Sequence, residues 1–409
     1  MINDKKIEIL SPAGNMEKMK TALSFGADAV YAGIPDFSLR ARINDFDINR
    51  IKEATEYCHK FNKKIYITIN IFAHNKHIDK LSEYIKDLKK IKVDALIVSD
   101  PGILILVKEV WPDAKIHLST QANCTNASAV KFWLAQGVKR IILGREVTLE
   151  EIKEIHKAVP KIELEYFVHG AMCMAYSGRC FLSKGFVDRS ANLGDCVQPC
   201  RWRYKIKAEN YKEEFEIVEE EHGSYILNSK DLCLLEHLQD LAKAGISSFK
   251  IEGRAKSVYY QAIVAGIYSS ASKKNISFYK KELETKLVHR GYAKGFLLGE
   301  KAEQNIESSH NKCSWEFCGQ VYSIKNEKLK IKDYDNKNLV LIKVHNSLKV
   351  GDRVEMVRPK YDIIKMKVDK IWDAEMKEEL QEAHGGQNKK VFLEVEEKVP
   401  EYSVIRRKI

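Results

Sequence analysis

Eight short runs rich in β-branched and apolar residues recur along the first two-thirds of the chain, and nearly all are separated by stretches of helical period. The runs are IEIL (7–10), DAVYAG (28–33), KIYITINIF (64–72), DALIVSD (94–100), KIHLST (115–120), VKRIILG (138–144), KIELEYFVHG (161–170) and SSFKIEG (247–253). The helical stretches fall at Met16–Phe25, Ile48–Phe61, Ile78–Ile91, Gly102–Val110, Ala127–Gln136, Leu149–Ala158, Leu234–Ala244 and Val258–Ser272. Continuous apolar strands imply burial on both faces and hence a parallel sheet. Eight such units predict an α/β fold, a closed (βα)8 TIM-like barrel over residues 1–300. An open doubly wound sheet is the alternative, but no G-x-G-x-x-G follows the first strand, which argues against a dinucleotide-binding sheet.

After residue 300 the pattern changes. EKAEQNIESSHNKCS (300–314) is polar and reads as a linker. Beyond it GQVYSI, LKIKDY (329–334), LVLIKV, DRVEMV, IIKMKV and VFLEVEE are short strands with intervening turn signals. They predict a small C-terminal antiparallel β-barrel over 315–409.

Hydrophobic residues make up 44% of the 409, enough for a large core and too many for a disordered chain. The opening MINDKKIEILSPAGN has neither a long apolar run nor a small-residue cleavage site, so a cytoplasmic protein without a signal peptide is expected. No stretch has the length of a membrane helix. In the cytosol disulfides are disfavoured. The net charge of +11 favours a polyanionic partner such as nucleic acid, against the plainer reading of a lysine-rich solvated surface.

The nine cysteines therefore need another explanation. Cys173, Cys180, Cys196 and Cys200 have six, fifteen and three residues between them, and Cys233 follows in NSKDLC. Several thiolates on one loop can grip a soft metal centre. Structural zinc prefers two close pairs, and here only Cys196 and Cys200 form one, so the spacing suits a [4Fe–4S] cluster better. One thiol is surplus, either Cys200 or Cys233. Cys58, Cys124, Cys313 and Cys318 read as small buried hydrophobes. Arg201, Trp202, Arg203 and Tyr204 mix charge with rings, as base-stacking surfaces do, although Trp202 could equally be buried.

In a βα barrel, functional residues emerge at the carboxyl ends of the strands. Those ends carry Arg40 and Arg42, Asn70, Ser99-Asp100, Ser119-Thr120-Gln121, Arg145-Glu146, His169, and then Lys250, Glu252 and Arg254. Polar strand ends meet water in any protein, but this many arginines inside apolar contexts point to an active face. Asn70, Gln121 and Lys250 join the arginines as candidate substrate-binding residues. Glu146, His169 and Glu252 are the candidate acid–base residues.

ELEYFVHGAMCMAYSGRC resembles the signature of peptidase family U32, the collagenase-like peptidases. SPAGNMEKMKTALSFGADAVYAG, FSLRAR, GDCVQPCRW, NSKDLC and SFKIEGR resemble further blocks of that family. The resemblance covers residues 7–270 closely, and the small β domain resembles the family's carboxyl-terminal domain. The family name implies proteolysis. The resemblance also implies a second activity, because other members are hydroxylation proteins with [4Fe–4S] clusters. By length and layout the chain is similar to those acting on tRNA, which convert wobble uridine to 5-hydroxyuridine with prephenate implicated as co-substrate.

On that resemblance Cys173, Cys180 and Cys196, with Cys200 or Cys233, hold the cluster. Arg40, Arg42, Arg145 and Arg254 match the two carboxylates of prephenate, and Glu146, His169 or Glu252 handles protons. Two other readings stand beside it. One is a U32 endopeptidase, for which the sequence offers no recognisable hydrolytic constellation. The other is a noncatalytic RNA-binding iron–sulfur subunit acting with a paralogous U32 partner.

Overall fold

The computed structural model describes residues 6–39, 45–173, 175, 179–202, 228–271, 276–300, 303–305, 310–322, 338–386, 389–397 and 399–409. Arg40, Arg42, Arg203, Tyr204 and the LKIKDY run lie outside these residues.

All eight runs are strands. They are β1 (Glu8–Pro12), β2 (Ala29–Gly33), β3 (Lys64–Ile69), β4 (Ala95–Val98), β5 (Ile116–Leu118), β6 (Arg140–Ile142), β7 (Glu163–Gly170) and, after a short β8 (Asp231–Cys233), β9 (Ile246–Ile251). The sheet order runs β7-β6-β5-β4-β3-β2-β1-β9, and a parallel β7–β9 pairing closes it into an eight-stranded barrel. Strands β2, β4, β5 and β6 are buried at every position, which is why their sequences run apolar rather than alternating. β8 lies antiparallel to β7, His169 opposite Cys233, and β10 (Tyr292–Ala293) extends that edge.

The connecting helices are α1 (Met16–Ser24), α2 (Ile48–Lys60), α3 (Asn75–Ile91), α4 (Pro101–Val110), α5 (Ala127–Ala135), α6 (Leu149–Ala158), α7 (Leu182–Val187), α8 (Leu238–Lys243), α9 (Val258–Ser270) and α10 (Ile276–Lys286). Several polar strand ends are helix caps. Asp100 accepts from Ile103 N at 3.1 Å ahead of Pro101, and Thr148 forms a reciprocal capping box with Glu151. The stretch Leu234–Ala244 splits into a 3-10 turn and the short α8. Among the described residues no helix is long and apolar enough to cross a membrane.

The chain divides into two compact units. The first comprises Met1–Met19, Asp28–Lys256 and Val288–Asn311 and holds the barrel strands. Within it Glu303–Asn305 is tied by backbone hydrogen bonds to Asn228 and Lys230.

The second unit comprises Lys20–Ala27, Ser257–Leu287 and Lys312–Ile409. Its eight-stranded antiparallel sheet is centred on Trp315–Val321, which pairs with Asn338–Val344 on one side and Val404–Lys408 on the other. Arg406, fully buried, ion-pairs with Glu282 of α10 at 2.5 Å and with Glu355 at 2.7 Å. Tyr361 donates to the same Glu282, and Tyr259 of α9 stacks on Phe317. These contacts make α9, α10 and the sheet one packed body.

Candidate functional site

A cavity of about 610 Å³, part of it open to solvent, lies at the carboxyl end of the barrel. Seven of the eight barrel strands, or the residues just after them, line it. Tyr31 and Leu39 come from β2 and its loop, Thr68 and Asn70 from β3, Ile97 from β4, and Ser119, Thr120 and Gln121 follow β5. Ile142 and Arg145 come from β6, Phe167, Ala171 and Cys173 from β7, and Lys250, Glu252 and Arg254 from β9.

The wall is cationic. The Arg145 guanidinium lies 3.8 Å from the Phe167 ring centroid, a cation–π contact that holds it beside the cavity. Arg254 is buried, donates to Thr68 Oγ1 at 3.3 Å and donates to the Leu39 carbonyl. Lys18 Nζ reaches the Arg254 carbonyl, and Gly14 sits so close to it that a Cβ there would lie 2.3 Å from that oxygen. The β1–α1 turn thus needs glycine at this point. Asn70 accepts from Leu39 N and donates to Ser119 Oγ, so its side chain braces the rim. Gln121 Oε1 is buried without a hydrogen-bond partner and faces a cavity that can supply one.

Beneath the floor runs a buried ionic ladder. Lys250 Nζ donates to Glu165 at 2.7 Å, Glu165 accepts from Arg140 at 3.0 Å, and Arg140 also pairs with Glu8 at 2.5 Å and Glu163 at 2.8 Å. Tyr66 donates to Glu8 at 2.8 Å. Burial would raise the carboxyl pKa of Glu165, but Lys250 and Arg140 outweigh it and hold the group below its ordinary value. Burial lowers the ammonium pKa of Lys250 despite the opposing Glu165 charge. The side chain therefore reaches the cavity as a desolvated ammonium held by Glu165, its Nζ 4.3 Å from the Tyr31 ring centroid.

The residues singled out from sequence divide in two. Asn70, Gln121, Arg145, Lys250, Glu252, Arg254 and Cys173 come together on the cavity wall. Glu146 and His169 do not line it. The Glu146 carboxylate folds back over Gly144. His169 is fully buried beside Tyr292, 5.4 Å between ring centroids, and burial, with Lys256 and His289 nearby, lowers its pKa to about 3. It is a neutral imidazole at physiological pH. Tyr31, Thr68 and Phe167 complete the wall without having been marked by sequence, since each sits inside an apolar strand and only the pleat turns it inward.

The cysteine loop folds over the same end. Cys180 N donates to Asn192 Oδ1, Phe72 N donates to the Asn192 carbonyl, and Arg179 donates to the Gln121 carbonyl at 3.2 Å. All nine cysteines are free thiols. Cys58, Cys124 and Cys318 are buried, and burial pushes each thiol up to about 12, which makes them inert. Cys313 is half-buried.

The five clustered cysteines differ. Cys173 and Cys196 are exposed, while Cys180, Cys200 and Cys233 are half-buried. Burial raises the Cys200 thiol pKa, Arg201 opposes this, and Cys173, Cys196 and Cys180 raise it further, so each of these three stands within electrostatic reach of Cys200. Cys233 lies opposite His169 at the end of β7. Among the described residues, no three His, Cys, Asp or Glu side chains already stand close enough to hold one metal ion.

The family model described as Peptidase family U32 matches residues 14–307, and that of the Peptidase family U32 C-terminal domain matches 314–406. The chain belongs to peptidase family U32. Three U32 relatives are informative. The tRNA hydroxylation protein P of Haemophilus influenzae is 37% identical over 464 residues, covering 100% of this chain and 98% of its own. That of Escherichia coli is 38% identical, covering 88% and 87%. A collagenase of Porphyromonas gingivalis is 30% identical, covering 90% and 91%. The U32 family thus contains close relatives named for two different chemistries.

Proposed function

We propose that this protein hydroxylates tRNA, converting wobble uridine to 5-hydroxyuridine with a [4Fe–4S] cluster and prephenate as co-substrate. The observation that carries the reading is the convergence, on one cavity wall, of three cationic side chains with the first thiol of the cysteine cluster. Full-length similarity to proteins named for tRNA hydroxylation supports it, as does the net charge of +11.

The donor set fits an iron–sulfur cluster in kind: soft thiols outside any disulfide, exposed at Cys173 and Cys196 and half-buried at Cys180, Cys200 and Cys233, with Cys173 on the cavity wall. Cys173, Cys180 and Cys196 would hold it, with Cys200 or Cys233 as fourth ligand. When bound, the cluster supplies one-electron chemistry. The chain's own residues do the rest. Arg145 and Arg254 present guanidinium forks to the two carboxylates of prephenate, and Lys250 adds a third cation at the floor. The rings of Tyr31 and Phe167 offer flat walls for a uracil turned out of its stack. Glu252, the acidic side chain on the wall, is placed to move a proton. His169 serves as a neutral packing group rather than a base.

A hydrolytic reading draws on the collagenase relative, but the imidazole nearest in sequence to Cys173 is held neutral, off the cavity, with a pKa of about 3. Analysis of protein purified without oxygen separates the two. About four irons and four sulfides per chain, with absorption near about 400 nm, support the proposal. Metal-free protein that cleaves gelatin overturns it.

A further inference from the structure

Residues 179–202 carry a surface that the cavity does not use. Helix α7 has Ser183 as its buried residue. Around it Phe181 is 78% exposed, Phe186 56% and Trp202 39%, and Val187 is exposed as well. A helix of six residues has little stability of its own, and folding gains nothing from rings left in water. Large rings left exposed together on one short segment mark a contact with something outside the chain.

The charges around these rings select the partner. The only acids in residues 179–202 are Asp188 and Asp195. Lys184 pairs with Asp188, and Arg189 pairs with Asp195 at 2.7 Å. Arg179 remains as excess positive charge, whereas Arg201 is half-buried, donates to Gln198 Oε1 at 2.6 Å and has the Asp231 charge nearby. Arg179 also joins the patch to the cavity, because it donates to the carbonyl of Gln121, a wall residue, and lies 5.6 Å from the Phe72 ring. Exposed rings beside an uncompensated arginine suit single-stranded nucleic acid: bases stack on the rings and a phosphate meets Arg179.

We propose that Phe181, Phe186 and Trp202 form a base-stacking platform for single-stranded RNA at the mouth of the cavity. The platform rests on the RNA reading above and adds where the loop docks. It holds the nucleotides flanking the reactive base while that base enters between Tyr31 and Phe167.

Binding of a fluorescein-labelled anticodon stem-loop, and of its stem alone as a blunt duplex, tests this by fluorescence anisotropy on the full chain. Phe181→Ser, Phe186→Ser and Trp202→Ser should each raise the stem-loop Kd about 5- to 150-fold. Phe181→Leu should weaken binding as Ser does, because it keeps the apolar surface and loses the stacking face. Phe181→Tyr should stay within about twofold of wild type, and duplex binding should not move. Unchanged melting temperatures show that the variants fold.

Wild-type binding with no loss in any Ser variant removes the platform and leaves the RNA reading standing. A wild type that binds neither RNA removes both. Phe181→Leu matching wild type while the Ser variants lose self-association in light scattering identifies the patch as a protein contact and overturns the proposal.

Discussion

Lys250 Nζ, at the cavity floor, donates to Glu165 at 2.7 Å, and Glu165 is completely buried and bonded in turn to Arg140. The two residues lie 85 positions apart, on β9 and β7, and meet because those strands close the barrel. The pair places a cation under the cavity while the ladder behind it neutralises the charge. Its geometry makes Glu165 a positioning residue for Lys250.

Glu165→Gln leaves Lys250 and Arg140 facing a neutral group inside the barrel. Removing one partner of a buried pair costs about 3–5 kcal/mol, read as a fall in denaturation midpoint at neutral pH. The pH dependence has a definite sign. The folded-state carboxyl pKa of Glu165 lies below the ordinary value, so its contribution is complete above that value and is lost as pH falls through the folded one. Glu8 is lowered likewise, where Arg140 outweighs burial. Wild-type melting temperature should therefore drop as pH is taken below about 4.5, and the Glu165→Gln curve should be flatter there.

Arg254→Ala removes a fork from the wall and also frees Leu39 and Thr68. Calorimetric titration with prephenate should show affinity reduced about 10- to 150-fold, the loss of one charge-assisted contact. Arg254→Lys should recover little of it, because an ammonium cannot reproduce the fork.

Gly170 has φ +108°, and a Cβ there would stand 2.6 Å from the Glu252 carbonyl. Gly170→Ala should destabilise by about 1–3 kcal/mol from backbone strain alone. Because the clash falls on the residue bearing the wall carboxylate, activity should fall further than the melting temperature implies. Comparing both against a surface Gly→Ala control checks this.

Cys173→Ala, Cys180→Ala and Cys196→Ala should each abolish bound iron. Of Cys200→Ala and Cys233→Ala, one should do the same and the other should leave iron and sulfide unchanged. Iron and sulfide assays on anaerobically purified variants identify the fourth ligand directly.

The barrel was legible because its strands are buried on both faces and read as unbroken apolar runs. The helix Leu149–Ala158 matches its sequence pattern at both ends, since Thr148 and Glu151 write the capping box into the chain. The cysteine loop shows why other parts were hidden. Helix α7 and its neighbouring 3-10 turns bury too few residues to impose a period. β8 has three residues, too short to alternate. The ladder could not be read at all. Arg140 and Glu8 are 132 positions apart, and nothing local in VKRIILG or IEIL reports a partner that closure alone supplies. On the cavity wall, strand-end residues such as Arg145, Lys250 and Arg254 were legible from their position after the strands. Tyr31 and Phe167 were not, because an inward-facing ring in an apolar strand looks like core.

Nucleoside mass spectrometry of tRNA tests the central claim most directly. Cells lacking this protein would carry either the wild-type chain or Cys173→Ala. The account predicts 5-hydroxyuridine restored by the wild type and absent with the variant. Equal 5-hydroxyuridine in both, or none with the wild-type chain, would contradict it.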